Sequence, residues 1–203
     1  MKKIGITGSM GSGKTFVAMK FAILGVPVLI MDQVVKQLQN TNESLIKKIK
    51  KRFPDSYTGN VMNREYMIRK LFYDETGKNL KDISEIIKPY LKEELNKFYE
   101  EFKDKKYVLV ESALIYEYGI QSQFDEVIFV NSDCKKRKQM AIERDKITSD
   151  EYNRRMKTQL PDEFKIEKSK YIINNNYTEE VFEQVKQLNE LIWHKKIKNF
   201  LNR

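Results

Sequence analysis

The 203 residues fit one sizeable domain with room for an insertion. With 40% hydrophobic and 11% aromatic residues the chain is neither disordered nor collagen-like, and a single cysteine, Cys134, excludes a disulfide scaffold. The net charge of +9 favours polyanionic partners such as nucleotides, nucleic acid or acidic membranes, but all except eight of the 38 cations are lysine. Surfaces that read nucleic acid lean on arginine for bidentate contacts. The runs Lys47-Lys48-Ile49-Lys50-Lys51-Arg52, Lys135-Lys136-Arg137-Lys138 and Lys195-Lys196-Ile197-Lys198 are therefore read as solvated faces. The most apolar stretch, Phe21 to Met31, is broken by Gly25 and Pro27 and falls well short of the roughly 18 residues of a membrane span. The apolar run after Lys2-Lys3 ends at Thr7-Gly8, too soon for a secretory signal, so a cytoplasmic protein is expected.

In chain order, Lys3 to Thr7 reads as a short strand, and Val17, Phe21 and Leu24 follow at the spacing of one helix face. Val26 to Met31 is a second buried-strand candidate, Lys106 to Glu111 a third, Glu126 to Val130 a fourth and Tyr171 to Ile173 a fifth. Short apolar runs of this kind suit a parallel sheet covered on both faces. Helical patterns lie between them at 64–73, 82–102, 134–144 and 179–201, the second interrupted by Pro89. The alternation predicts an α/β fold with right-handed crossovers. Residues 33–104 are too long for one crossover and are expected to form a mostly helical insertion.

Gly8-Ser9-Met10-Gly11-Ser12-Gly13-Lys14-Thr15 matches G-x-x-x-x-G-K-[ST] between a predicted strand and a predicted helix, the context a phosphate-binding P-loop requires. Its glycines let backbone N–H groups turn toward phosphate oxygens at the positive end of a helix. Lys14 is expected to reach the β and γ phosphates and the Thr15 hydroxyl to ligate Mg²⁺, which makes ATP with Mg²⁺ the expected cofactor pair. A P-loop alone does not choose a reaction. Asp32 offers the choice, because it follows the second strand and ligands of open α/β sheets gather at strand carboxyl ends. A carboxylate there can take the proton of an acceptor hydroxyl facing the γ phosphate, or it can simply cap the helix beginning at Gln33.

These residues resemble the bacterial dephospho-CoA kinases. Gly8 to Thr15 is similar to that family's nucleotide loop, and Phe21-Ala22-Ile23-Leu24-Gly25 followed by Val28 to Asp32 is similar to its passage ending in the catalytic aspartate. Leu114-Ile115-Tyr116-Glu117, Arg144-Asp145, Arg155 with Gln159, Lys165, and Ile173-Asn174-Asn175 fall in the order of its later motifs. The resemblance implies a P-loop kinase: a five-stranded parallel sheet flanked by helices, with a helical acceptor-binding insertion at 33–104 and a short lid at 145–168. It implies transfer of the ATP γ phosphate to the ribose 3′-hydroxyl of dephospho-CoA. Asp32 would be the base, with Lys14, Arg144 and Arg155 on the transferring phosphoryl group. Gly8, Gly11, Ser12, Gly13, Lys14, Thr15, Phe16 and Asn175 would hold the nucleotide, with Thr15 on the metal.

The chain departs from the family pattern at Ile30, Lys36, Lys88, Ala113 and Met140. Several of these positions fall on the acceptor side, which keeps two other readings open: a related kinase of a nucleoside or nucleotide, and an ATP-dependent nucleic-acid-binding module. Glu111-Ser112 ends the third strand with a carboxylate that either approaches Mg²⁺ through water or merely terminates the strand. His194 and Cys134 are expected to be bland surface residues.

Overall fold

The computed structural model describes residues 1–178 and 180–201, without the side chains of 195–201. In chain order the elements are β1 (Lys2–Thr7), α1 (Lys14–Ile23), β2 (Val28–Ile30), α2 (Met31–Thr41) and α3 (Glu43–Arg52). The hairpin strands β3 (Tyr57–Thr58) and β4 (Val61–Met62) and the helices α4 (Arg64–Phe72) and α5 (Lys78–Glu101) follow. The second half holds β5 (Tyr107–Glu111), β6 (Glu126–Asn131), α6 (Cys134–Asp145), α7 (Ser149–Lys157), α8 (Asp162–Lys168), β7 (Tyr171–Asn174) and α9 (Glu180–Leu201).

Five strands form one sheet in the order β2-β5-β1-β6-β7, and every pairing is parallel. Alternation along β5 shows why both faces are covered. Tyr107 and Leu109 join a core with Val17 and Phe21 of α1 and Val181 and Val185 of α9, whereas Val108 and Val110 join Leu95 and Phe98 of α5. The strand period of two therefore points Glu111, the last residue, to the same side as α1. The 31–101 region has a third core of its own, in which Leu38, Leu45, Ile49, Phe53, Met67, Ile83 and Ile87 bury one face of each helix. Burying each such side chain is worth about 1.5–3 kcal/mol.

Two expectations need correction. The second strand covers only Val28–Ile30 and is half-buried, because it lies at the sheet edge and Met31 already begins α2. The segment at 33–104 is mostly helical, and within it Gly59, with φ of 61°, turns the short β3–β4 hairpin. Pro89 does not interrupt its helix: α5 runs unbroken from Lys78 to Glu101. The missing N–H at Pro89 leaves the Glu85 carbonyl without its helical donor. Both residues are exposed, so water can serve that carbonyl. Glu179 and the side chains of the Lys195–Lys198 run lie outside the described residues.

Candidate active site

The Gly8–Thr15 loop joins the central strand β1 to α1. Gly11 and Gly13 take φ of 82° and 77°, a region that favours glycine. A Cβ on Gly11 would overlap the Arg137 carbonyl, and one on Gly13 would overlap the Asn175 amide, so the loop lies against backbone on one side and a side chain on the other. The first intrahelical bond of α1 runs from the Val17 N–H to the Gly13 carbonyl at 3.0 Å. The N–H groups of Lys14, Thr15 and Phe16 thus have no acceptor within the helix, and with the helix dipole they make an anion-binding end. Phe16 is itself exposed, and the Lys20 ammonium lies 4.8 Å from its ring centre.

Lys14 is only 7% exposed, and its Nζ lies 3.6 Å from Oε1 of the fully buried Glu111. That distance is too long for a hydrogen bond, and Glu111 Oε1 has no hydrogen-bond partner among the described residues. Thr15 Oγ1 stands 3.4 Å from Glu111 Oε2. Burial pushes the Glu111 carboxyl above its usual range; the Lys14 ammonium opposes that rise and the Asp32 charge adds to it. The alternation of β5 that brings Glu111 to this place is visible in the sequence. The reading of Glu111 as a mere strand terminus does not hold. Two protein oxygens, Thr15 Oγ1 and a Glu111 carboxylate oxygen that accepts no hydrogen bond, suit a Mg²⁺ that keeps water and phosphate ligands.

Asp32 is exposed in the first turn of α2, and the Ncap is Ile30, so the capping alternative is wrong. Its charge bears on both Glu111, beside Lys14 and Thr15, and Tyr118, in the segment after β5. Arg144 makes a two-point contact with Asp145, at 2.8 Å for each bond, and this pairing holds the Asp145 carboxyl below its usual range. Asp32 and Glu111 also lie within the electrostatic reach of Arg144. Arg155 lies on α7, near enough to Asp145 for its charge to bear on that carboxyl. It pairs with Glu151 one turn back on α7, and its guanidinium lies 5.1 Å from the ring centre of Phe72 on α4.

Other polar residues clasp the loop. Asn175 is 2% exposed and donates from Nδ2 to the Ser12 carbonyl at 2.8 Å. On the opposite side Gln159 accepts from the Met10 N–H at 3.1 Å, and Asp162 accepts from the Ser9 hydroxyl while pairing with Arg137. Arg137 is buried, contrary to the expectation that its basic run is a solvated face; its neighbours Lys135 and Lys136 are exposed. Helix periodicity turned one residue of that run inward, where Asp162 offsets its charge. Lys165 is fully buried, with Nζ 2.7 Å from Glu117 Oε1, and the same oxygen accepts from the Leu160 N–H at 3.0 Å. Removing one partner from such a pair typically costs about 3–5 kcal/mol.

A cavity of about 630 Å³ opens between α2, α5 and the segment after β5. Met31, Leu91, Leu95 and Ile120 give it apolar walls, and Lys81, Lys88 and Lys92 also line it. Lys36 lies elsewhere, close enough to Asp145 for its charge to bear on that carboxyl.

Residues 2–180 match the family model described as dephospho-CoA kinase. The chain belongs to that family. A dephospho-CoA kinase from Aquifex aeolicus is 30% identical over 194 residues, covering 94% of this chain and 97% of that protein. One from Bacteroides fragilis is 27% identical over 194 residues, covering 95% and 94%. Among solved structures, TT1252 from Thermus thermophilus superposes with a TM-score of 0.78 at 24% identity, covering 94% of this chain and 96% of that one. The dephospho-CoA kinase from Campylobacter jejuni gives 0.59 at 18% identity, covering 94% and 97%. These likenesses confirm the five-stranded parallel sheet flanked by helices. Among the described residues no helix is long and apolar enough to cross a membrane.

His194 and Cys134 are exposed, as expected. Of the residues picked from sequence, the structure gathers Lys14, Thr15, Asp32, Arg144 and Asn175 around the loop, and Arg155 stands on α7 within electrostatic reach of Asp145, the partner of Arg144.

Proposed function

We propose that the chain transfers the γ phosphate of ATP to the ribose 3′-hydroxyl of dephospho-CoA, giving CoA and ADP. The observation that carries this reading is the apolar, lysine-lined cavity bordered by Met31, the residue just before Asp32. Its walls suit the long, weakly polar arm of dephospho-CoA, and Lys81, Lys88 and Lys92 suit the diphosphate. A small acceptor such as adenosine would leave most of that volume unused.

In this reading Lys14 and the N–H groups of the first turn of α1 hold the triphosphate, and Lys14 exchanges its long contact with Glu111 for a phosphate oxygen. Mg²⁺ bound with ATP at Thr15 and Glu111 would offset the charge that builds on the γ phosphoryl group. Asp32 takes the proton from the 3′-hydroxyl as its oxygen bonds to the γ phosphorus and the bond from that phosphorus to the bridging oxygen breaks, with ADP leaving. Arg144 faces the same charge from α6. Residues 145–168 serve as the lid and 33–104 as the acceptor-binding insertion. Asn175 supports the nucleotide through the loop it holds.

A coupled assay of ADP release tests the acceptor. Dephospho-CoA should show kcat/KM at least about 10²-fold above adenosine or AMP, roughly 2.7 kcal/mol of differential transition-state binding. Equal rates on AMP would move the assignment to a nucleotide kinase.

A further inference from the structure

Tyr177 stands just past the end of β7 with φ of 63°, and Lys146 is the one other non-glycine residue with positive φ among the described residues. A tyrosine held in that region is strained, and such strain persists where surrounding contacts over-determine it. Two contacts do so here. The Tyr177 N–H donates to Asn175 Oδ1 at 3.1 Å, and its Oη donates to the Gly11 carbonyl at 2.7 Å. The first bond orients the Asn175 amide, so that Nδ2 faces the Ser12 carbonyl at 2.8 Å. The left-handed turn at Tyr177 permits both at once.

We infer that Tyr177 is a positioning residue for the triphosphate, acting through the loop rather than on ATP itself. A trans peptide is planar, with its C=O and N–H pointing opposite ways. Holding the Ser12 carbonyl outward therefore aims the Gly13 N–H inward. Holding the Gly11 carbonyl outward fixes the peptide whose N–H, on Ser12, bonds to the Ser9 carbonyl at 3.0 Å and closes the turn. Two successive peptide planes are thus set before a phosphate arrives, so less ordering remains to oppose its binding. The inference rests on the assignment of this loop to ATP. It adds a residue that the loop motif does not contain and that lies more than 160 positions away along the chain.

The test is competition of ATP and of inorganic tripolyphosphate, each with Mg²⁺, against a fluorescent ADP analogue on the full chain. Tyr177→Phe keeps the ring and the backbone but removes the hydroxyl. It should weaken both competitors by the same factor, about three- to tenfold, the range expected for one net hydrogen bond. KM for ATP should rise by that factor while kcat at saturating ATP changes less than about twofold. Tyr177→Gly keeps the N–H to Asn175 and releases the strain. Its Tm should therefore be no lower than that of Tyr177→Phe, while its phosphate affinity is equally weak. Unchanged tripolyphosphate binding in Tyr177→Phe overturns the inference. If ATP alone weakens, Tyr177 is an adenine contact and not a loop support. Wild-type affinity in Tyr177→Gly overturns it as well. Lys14→Ala separates the two levels: if that variant binds tripolyphosphate as the wild type does, the loop assignment itself fails.

Discussion

The nucleotide side and the acceptor side of this molecule are built by opposite means. Around Gly8–Thr15, polar groups are buried and answer one another: Lys14 faces Glu111, Asn175 holds Ser12, Asp162 holds Ser9 and Arg137, and Tyr177 holds Gly11. Across Asp32 the cavity walls are apolar, and the lysines that line it, Lys81, Lys88 and Lys92, are exposed. Phosphate charge needs dipoles and cations fixed in advance, because reorganising them during the reaction would cost what they contribute. A long flexible acceptor needs shape, which many weak contacts supply.

Lys14→Ala should break the contrast most severely. Activity, as kcat/KM for ATP, should fall by at least about 10³-fold, roughly 4 kcal/mol. Dephospho-CoA binding, followed by calorimetry without nucleotide, should hold. Glu111, already inclined to protonate, can neutralise itself once its partner is gone, so the thermal midpoint should move little.

Asp32→Asn comes next and tests the seam between the two sides. Loss of the proton acceptor should lower kcat by about 10²- to 10⁴-fold while the affinities for ATP and dephospho-CoA stay near wild type. If instead stability drops by about 0.3–1 kcal/mol with kcat preserved, Asp32 serves only the dipole of α2.

Lys88→Ala should be felt on one side only. KM for dephospho-CoA should rise several-fold, as expected for one partly exposed charge contact, with KM for ATP and the slow rate on adenosine unchanged. A parallel rise in KM for ATP would erase the division drawn here.

The smallest effect is in stability against pH. The Glu111 carboxyl is raised in the folded protein, so between its unfolded value near 4.5 and the raised folded value the native state binds more protons than the unfolded state. Wild-type stability relative to Glu111→Gln should therefore decline as pH rises through that window and level off above it. Denaturant melts of both proteins at several pH values check this; a difference that grows with pH would show that the Lys14 pairing outweighs burial.

How much of this the sequence disclosed follows the same division. The five strands of the parallel sheet and most helices were legible because each buries a face whose period, 2 or 3.6, is written in apolar residues, whereas the two-residue strands β3 and β4 are too short to show one. The loop was legible because its glycines, lysine and threonine are contiguous. Glu111 was visible as a residue, but its depth came from being on the α1 side of a strand covered on both faces. Arg137 hid in a lysine-rich run, and its burial depends on Asp162, which only tertiary packing brings near. Arg155 was visible as a residue, but its pairing with Glu151, its contact with Phe72 and its reach to Asp145 come from packing among α4, α6 and α7. The cavity was illegible for a plainer reason: its walls come from α2, α5 and the segment after β5, and no local pattern records how distant segments enclose a space.

The order of the sheet also sets a timetable for synthesis. β1 is made first, yet its ladder partner begins only at Tyr107, opposite Lys2, and its other neighbour follows at Glu126. At a translation rate of about 5–20 residues per second, the central strand waits roughly 5–20 seconds for the first of them. The phosphate loop waits longer, because Gly11 rests on Arg137 and is tethered to Tyr177, and Ser12 is tethered to Asn175. The segment translated first after β1 is thus among the last to acquire its shape. A ribosome-bound chain stalled before residue 175 lacks both tethers, so tight ATP binding marks a chain that has been made past Tyr177.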